Sequence, residues 1–251
     1  MAALFQAAGS AVNTTTTTLA LVAPTVVAGD LMFAWITTHD NTAISGQDAR
    51  WISIYSANNT AAQRNTLFYM FVNNADSAAT FNFTIAGTTA GLGRLYTWRG
   101  ATGIGASSNS ANASSATVTW ATMTPQFANS VIASFMAVAV QTGSDGGMTG
   151  GTAQTFTARG GSQYNIGSTD ASEAYSCESG GVQAPGAMTM NNTSAAVNVG
   201  VFVEVLSQTV ASGGGSNTGG FAGGQVNRNM GMVNDLTRGA PRGLASGLTG
   251  G

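Results

Sequence analysis

Leu31, Met32, Phe33, Ala34, Trp35 and Ile36 form an unbroken apolar run, launched by the turn residues Gly29-Asp30. The run is too short to cross a bilayer and is rich in strand formers, so it predicts a strand buried in the core. Ser130–Val140 and Ala195–Leu206 repeat the pattern later in the chain. Between these runs lie shorter segments that alternate apolar and polar residues or are rich in strand formers: Trp51–Ser56, Asn65–Val72, Thr80–Ile85, Gly91–Trp98, Thr117–Trp120, Thr152–Arg159, Ser172–Glu178 and Ala187–Asn191. A threonine run, Thr14–Thr18, leads into Leu19–Val22 and predicts the first strand. His39–Thr42, Ser45–Asp48 and Asn73–Asp76 carry turn chemistry, Ala57–Thr60 reads as a loop, and residues 101–116, nearly all Gly, Ala, Ser and Asn, read as a loop or crossover. No stretch shows a 3.6-residue period with caps. Roughly ten to twelve short strands separated by Gly, Asn and Ser turns predict an all-β fold, an antiparallel β-sandwich of jelly-roll-like type, over residues 1–210.

The pattern changes at Ala211. Thirteen of the last 41 residues are glycine, too many for the segment to order itself by burial. Apolar residues nevertheless recur through it (Phe221, Val226, Met230, Met232, Val233, Leu236, Leu244 and Leu248), together with Arg228, Arg238 and Arg242 against the single acid Asp235. A bland linker has no use for such residues. Residues 211–251 are therefore expected to be an extended arm that docks on a neighbouring subunit, with Phe221, Val226, Arg228, Met230, Met232, Leu236, Arg238, Arg242, Leu244 and Leu248 as its contacts.

Charge sharpens this picture. The chain has only eight basic residues, all arginine, and ten acidic ones. Solubility rests on Thr, Ser, Asn and Gln, and so uncharged a surface is poorly protected against self-association. It fits a protein much of whose surface is covered by other subunits, a homo-oligomer such as a trimer, and equally the plain compositional bias of a GC-rich genome. A net charge of −2 gives no drive toward nucleic acid or anionic membranes. No segment has the ~18 apolar residues of a membrane helix. One cysteine, Cys177, rules out an internal disulfide framework. The first ten residues lack the basic region of a secretory leader, which predicts folding in a cytoplasm, with use there or export within an assembly.

Candidate chemistry is sparse. His39-Asp40 is the one histidine beside a carboxylate, but no Gly-x-Ser-x-Gly elbow accompanies it, and a turn at a strand end is the expected role. Glu173 and Glu178 differ by five in position, an odd number, and would point to opposite faces of a strand, unlike the paired carboxylates of a glycosidase. One His and one Cys carry no zinc spacing, and Asp145-Gly-Gly lacks the further acids of a calcium loop. Gly91-Leu-Gly-Arg does not continue as a dinucleotide motif. Asp30 is expected in a turn, Cys177 as a packed small hydrophobe, and Trp35, Trp51, Trp98 and Trp120 in the core rather than on a sugar-stacking face. No catalytic residue, metal or cofactor is expected.

The order of features over residues 20–208 resembles a β-sandwich module of tailed-bacteriophage virion structural proteins, capsid decoration type. The matching pieces are Val27-Ala-Gly-Asp-Leu-Met-Phe-Ala34, Trp51, Leu67-Phe-Tyr-Met-Phe-Val72, Phe81-Asn-Phe-Thr-Ile85 and Leu95-Tyr-Thr-Trp-Arg-Gly100. Ala128–Phe135, Asp170–Glu173 and the last strand at 195–206 follow in order. Ala101-Thr102 stands where the module usually has a hydrophobic residue and an acid. The resemblance implies a non-enzymatic virion protein, a capsid decoration or cement protein whose partners are the major capsid protein or tail and neck proteins. The alternative it allows is a tail, neck or fibre component with a carbohydrate- or receptor-binding sandwich. The glycine-rich arm has no counterpart in the module and resembles the extended termini by which virion proteins lace together.

Overall fold

The computed structural model of the 251-residue chain describes residues 3–60, 63–87, 90–127, 130–139, 149–150, 157–166, 170–178 and 188–207. In chain order its strands are β1 (Leu4–Ala8), β2 (Val12–Thr14), β3 (Thr18–Val22), β4 (Leu31–His39), β5 (Ile44–Gly46), β6 (Ile52–Asn59), β7 (Gln63–Phe71), β8 (Thr80–Ile85), β9 (Gly91–Arg99) and β10 (Ala101–Trp120). They continue as β11 (Val131–Val138), β12 (Thr149–Gly150), β13 (Thr157–Ile166), β14 (Asp170–Glu178) and β15 (Met188–Ser207). A single 3-10 turn at Asn74–Asp76 is the only helical element among the described residues.

Every strand pairing among the described residues is antiparallel. The strands make three sheets. The first runs β1-β9-β4-β7-β6 with β2 also on β9, the second runs β10-β15-β11-β14-β13 with β12 on β15, and the third is β3-β8-β5. The all-β sandwich expected from the alternation is present, with a third layer in addition to the two expected.

That third layer explains the unbroken apolar run. In β4 the residues Leu31, Phe33 and Trp35 pack toward the second sheet, against Val131, Ala133, Phe135 and Val201. The intervening Met32, Ala34 and Ile36 pack against Leu19, Leu21, Phe81 and Phe83 of the third sheet. A strand alternates its side chains between faces, so a strand in the middle sheet must be apolar at every position. The eight residues Leu31–Thr38 are accordingly all buried. The aromatic rings meet at edges and tilts, with Phe33 and Trp98 at 5.2 Å and Phe33 and Phe135 at 5.4 Å between centroids. The Trp35 indole N–H also donates to the Met136 carbonyl across the two sheets at 2.8 Å.

β11 is buried on both faces for a different reason. Its Val131, Ala133 and Phe135 face the first sheet, while Ile132, Met136 and Val138 pack with Val118, Trp120, Met123 and Phe202. Val118, Trp120 and Met123 come from the end of β10 and the loop after it, and Phe202 from the neighbouring strand β15. The β10–β15 ribbon loses register between Asn112 and Thr117 and doubles back, so that Ser110 and Thr119 hydroxyls lie 3.0 Å apart and Ser108 Oγ donates to Ala121 O. Trp120 then stacks on Phe202 with centroids 6.1 Å apart.

The region expected as a loop at 101–116 is thus part of the long strand β10. β6 likewise continues through the loop expected at Ala57–Thr60 as far as Asn59. The threonine run is split by a bend at residues 15–17 between β2 and β3, and β1 was not expected at all.

Candidate functional site

The ionisable side chains of the described residues are where any chemistry would reside, and the fold commits them to structure. Gly29 adopts φ +88°, the left-handed region, and turns the chain so that Asp30 lies inside. The Asp30 carboxylate accepts the Val27 N–H at 3.0 Å and a two-point clasp from Arg99, Nε and Nη2 each at 2.9 Å. Asp30 is a turn residue, as expected. The clasp joins the strand opening at Val27–Ala34 to the Arg99-Gly100 corner, where Gly100 at φ +75° passes the chain from the first sheet to the second.

Arg50 forms a second cluster. It donates to Asp48 (Nη2 to Oδ2, 2.6 Å) and to Asp76 (Nη1 to Oδ2, 2.7 Å). The guanidinium holds both carboxyls below the usual carboxylate range, and its own pKa is raised by Asp76 first and then Asp48. Asp76 also accepts the Asn73 N–H at 2.7 Å, which closes the turn before β8.

Glu204 is the one buried carboxylate that no cation pairs with among the described residues. It sits in β15 on the outer face of the second sheet, with no exposed surface. Its oxygens accept four backbone contacts: Ala106 N at 2.9 Å, Gln126 N at 2.9 Å to each oxygen, and Phe127 N at 3.0 Å. Burial pushes its pKa up. The N–H groups of Gln126, Ala106 and Phe127 and the Ser130 hydroxyl outweigh that, and the group ends lower than an ordinary glutamate. The carboxylate therefore ties the loop after β10 to the sheet. A carboxylate ionised and surrounded by donors accepts hydrogen bonds well but is a poor proton acceptor for catalysis.

A polar knot completes the set. Asn198 Nδ2 donates to Ser115 O and Ala196 O, each at 3.1 Å, and its Oδ1 accepts from Asn112 Nδ2 at 2.9 Å. Asn59 of the first sheet reaches Asn112 O at 3.1 Å, so the knot also links the sheets at the fold in the β10–β15 ribbon. Between the sheets nearby, Asn65 Nδ2 donates to Gln63 Oε1 at 3.2 Å, leaving Gln63 Nε2 and Asn65 Oδ1 without partners though both residues are fully buried.

The remaining candidates fall as follows. His39 ends β4 and Asp40 follows at φ +71°, with the Thr42 hydroxyl bonded to the Asp40 carboxylate, so the pair forms a turn at a strand end. Glu173 and Glu178 pair in register with Met136 and Val131 of β11. Cys177 pairs with Ile132. All four tryptophans are buried, the most exposed being Trp51 at 8%. No group of three or more His, Cys, Asp and Glu that could hold a metal occurs among the described residues. Asp145 and the docking positions Phe221, Val226, Arg228, Met230, Met232, Leu236, Arg238, Arg242, Leu244 and Leu248 lie outside the described residues. Glu204 and the Arg50 cluster were not anticipated. The signal for Glu204 was a lone acid inside the apolar run Val199–Leu206.

No protein-family model matches this chain, no curated protein is significantly similar to it, and no solved structure has a significantly similar fold.

Proposed function

We propose that this chain is a non-enzymatic structural protein of a bacteriophage particle, a capsid decoration or cement protein anchored to neighbouring subunits through residues 211–251. The observation that carries the reading is a contrast within one chain. The β body commits six of its fourteen charged residues to clasps: Asp30 with Arg99, Arg50 with Asp48 and Asp76, and Glu204 with backbone N–H groups. The body holds five arginines and nine acids in 210 residues, while the glycine-rich tail carries three arginines, one acid and spaced apolar residues. Weak contacts spread along such an arm and repeated around a symmetric lattice would sum to firm attachment. The burial of all four tryptophans favours this reading over a sugar-stacking module. Quantitative gel analysis of purified particles tests it. Hundreds of copies per particle are expected. A dozen or fewer would contradict decoration and point to a neck or fibre component.

A further inference from the structure

We propose that β6 of one copy receives the segment Gln225–Val233 of a second copy as an added strand. This rests on the reading of residues 211–251 as a docking arm and names the surface that takes it. β6 is the last strand on its side of the first sheet, so one row of its backbone N–H and C=O groups has no strand neighbour among the described residues. Open edges in natural sheets are usually guarded by lysine, proline or inward-facing charge. Ile-Ser-Ile-Tyr-Ser-Ala-Asn-Asn carries none of these, and its one irregularity is a register shift against β7 between Ser53 and Tyr55. The free edge strands of the third sheet are shorter, β3 with five residues and β5 with three, as is β1 with five, and β13 at the edge of the second sheet carries Arg159 and shifts register between Arg159 and Tyr164.

The side chains beside this edge match the proposed occupant. Ile52 lies opposite Tyr69, and Phe71 follows two residues later on the same face. Ile52 is 53% and Phe71 40% exposed, making a half-open apolar strip at the edge. The opposite face of β6 carries Ser56 and Asn58, which bond to Thr66 and Arg64. In Gln225-Val-Asn-Arg-Asn-Met-Gly-Met-Val233 the even positions are Val226, Arg228, Met230 and Met232, and Asn227, Asn229 and Gly231 alternate with them. Apart from Arg228 among the even positions and Val233 among the odd ones, that is a period of two over nine residues, against the eight of β6. Added as a strand, the segment lays its methionines beside Ile52 and Phe71 and its asparagines beside Ser56 and Asn58. Met adapts its shape to irregular apolar surfaces. Seventeen residues lie between Ser207 and Gln225, a tether on the order of 60 Å when extended, long enough to leave its own subunit. The tail is positive and the remainder of the chain negative, so the charges favour the approach.

Full-length protein with benzoylphenylalanine in place of Met230, mixed in light and 15N-labelled forms and irradiated, tests this by mass spectrometry of the cross-linked peptides. The expected result is light–heavy peptide pairs joining position 230 to residues within 52–59 or to Phe71, with the yield falling about tenfold in Ile52→Lys, whose exposed position tolerates the charge. Light–heavy pairs to any other surface would overturn β6 as the receiver and leave the docking arm standing. Pairs confined to one chain, or none, would overturn the inference, while incorporation of arm-deleted protein into particles judges the arm itself.

Discussion

Replacing Glu204 by glutamine changes one oxygen to an amide and leaves the volume almost untouched. In the native chain the two oxygens accept from Ala106 N, Gln126 N and Phe127 N within 3.0 Å. Glutamine can offer only one acceptor oxygen. Its NH2 group must face at least one backbone N–H, and that buried donor loses its partner, at a cost of about 1–3 kcal/mol. The bonds that survive become neutral rather than charge-assisted and weaken by roughly 1 kcal/mol each. The sum is a loss of about 3–5 kcal/mol at pH 7, a large part of the ~5–15 kcal/mol that holds a domain together. Urea denaturation of both proteins at a series of pH values is the assay. The folded-state pKa of Glu204 is depressed below its ordinary 4.5. Its contribution is therefore complete above the unfolded value and is lost as pH falls through the folded one. Asp48 and Asp76, held down by Arg50, weaken both proteins in acid alike, so the difference between wild type and Glu204→Gln isolates Glu204. The difference should be constant from pH 7 to about pH 5 and shrink below 4.5. A Glu204→Gln protein as stable as wild type at pH 7, or a difference that persists unchanged in acid, would refute the reasoning.

Other consequences follow from single positions. Gly29→Ala places a side chain at φ +88° with nothing within 4 Å of the added carbon, so the cost is backbone conformation alone, about 1–2 kcal/mol by thermal unfolding. Trp120→Ala empties the space between Phe202 and the Phe135 carbonyl that its indole N–H bonds at 3.2 Å, and chemical denaturation should register a loss of about 3–5 kcal/mol. Gln63→Met with Asn65→Leu removes a buried amide pair that satisfies only half of its own groups, so the double variant should match or exceed wild-type stability to within about 1 kcal/mol, and a loss above ~3 kcal/mol would mean the amides serve a partner.

The buried strands were legible because burial on both faces leaves an apolar run, and β4 and β11 are covered on both faces. What the run could not tell is what covers the second face: the third sheet over β4, the folded-back ribbon over β11. β10 was hidden for the opposite reason. Its Gly, Ala, Ser and Asn residues have poor strand propensity, and it is a strand because the strongly apolar β15 pairs along it and because small side chains permit the fold-back. A carbon added at Gly105 would collide with the Glu204 carboxylate, and one added at Gly200 would come within 2.8 Å of the Trp120 ring. Asp30 was readable as a turn from Gly29-Asp30 alone. Its partner Arg99, 69 residues away, was not, since nothing local links an acid in one strand opening to an arginine at the end of another. The same holds for Arg50 and Asp76, and for the three backbone donors that converge on Glu204.

The most direct test of the proposed role is to delete residues 211–251 and measure incorporation into particles assembled in its presence. The body carries its own sheets and clasps, so the truncated protein should keep the β-type circular dichroism and cooperative unfolding of the full chain. It should be absent from purified particles that take up the full-length protein. Truncated protein incorporated at full occupancy would contradict the arm as the anchor, and with it the account of this chain as a particle protein held by its tail.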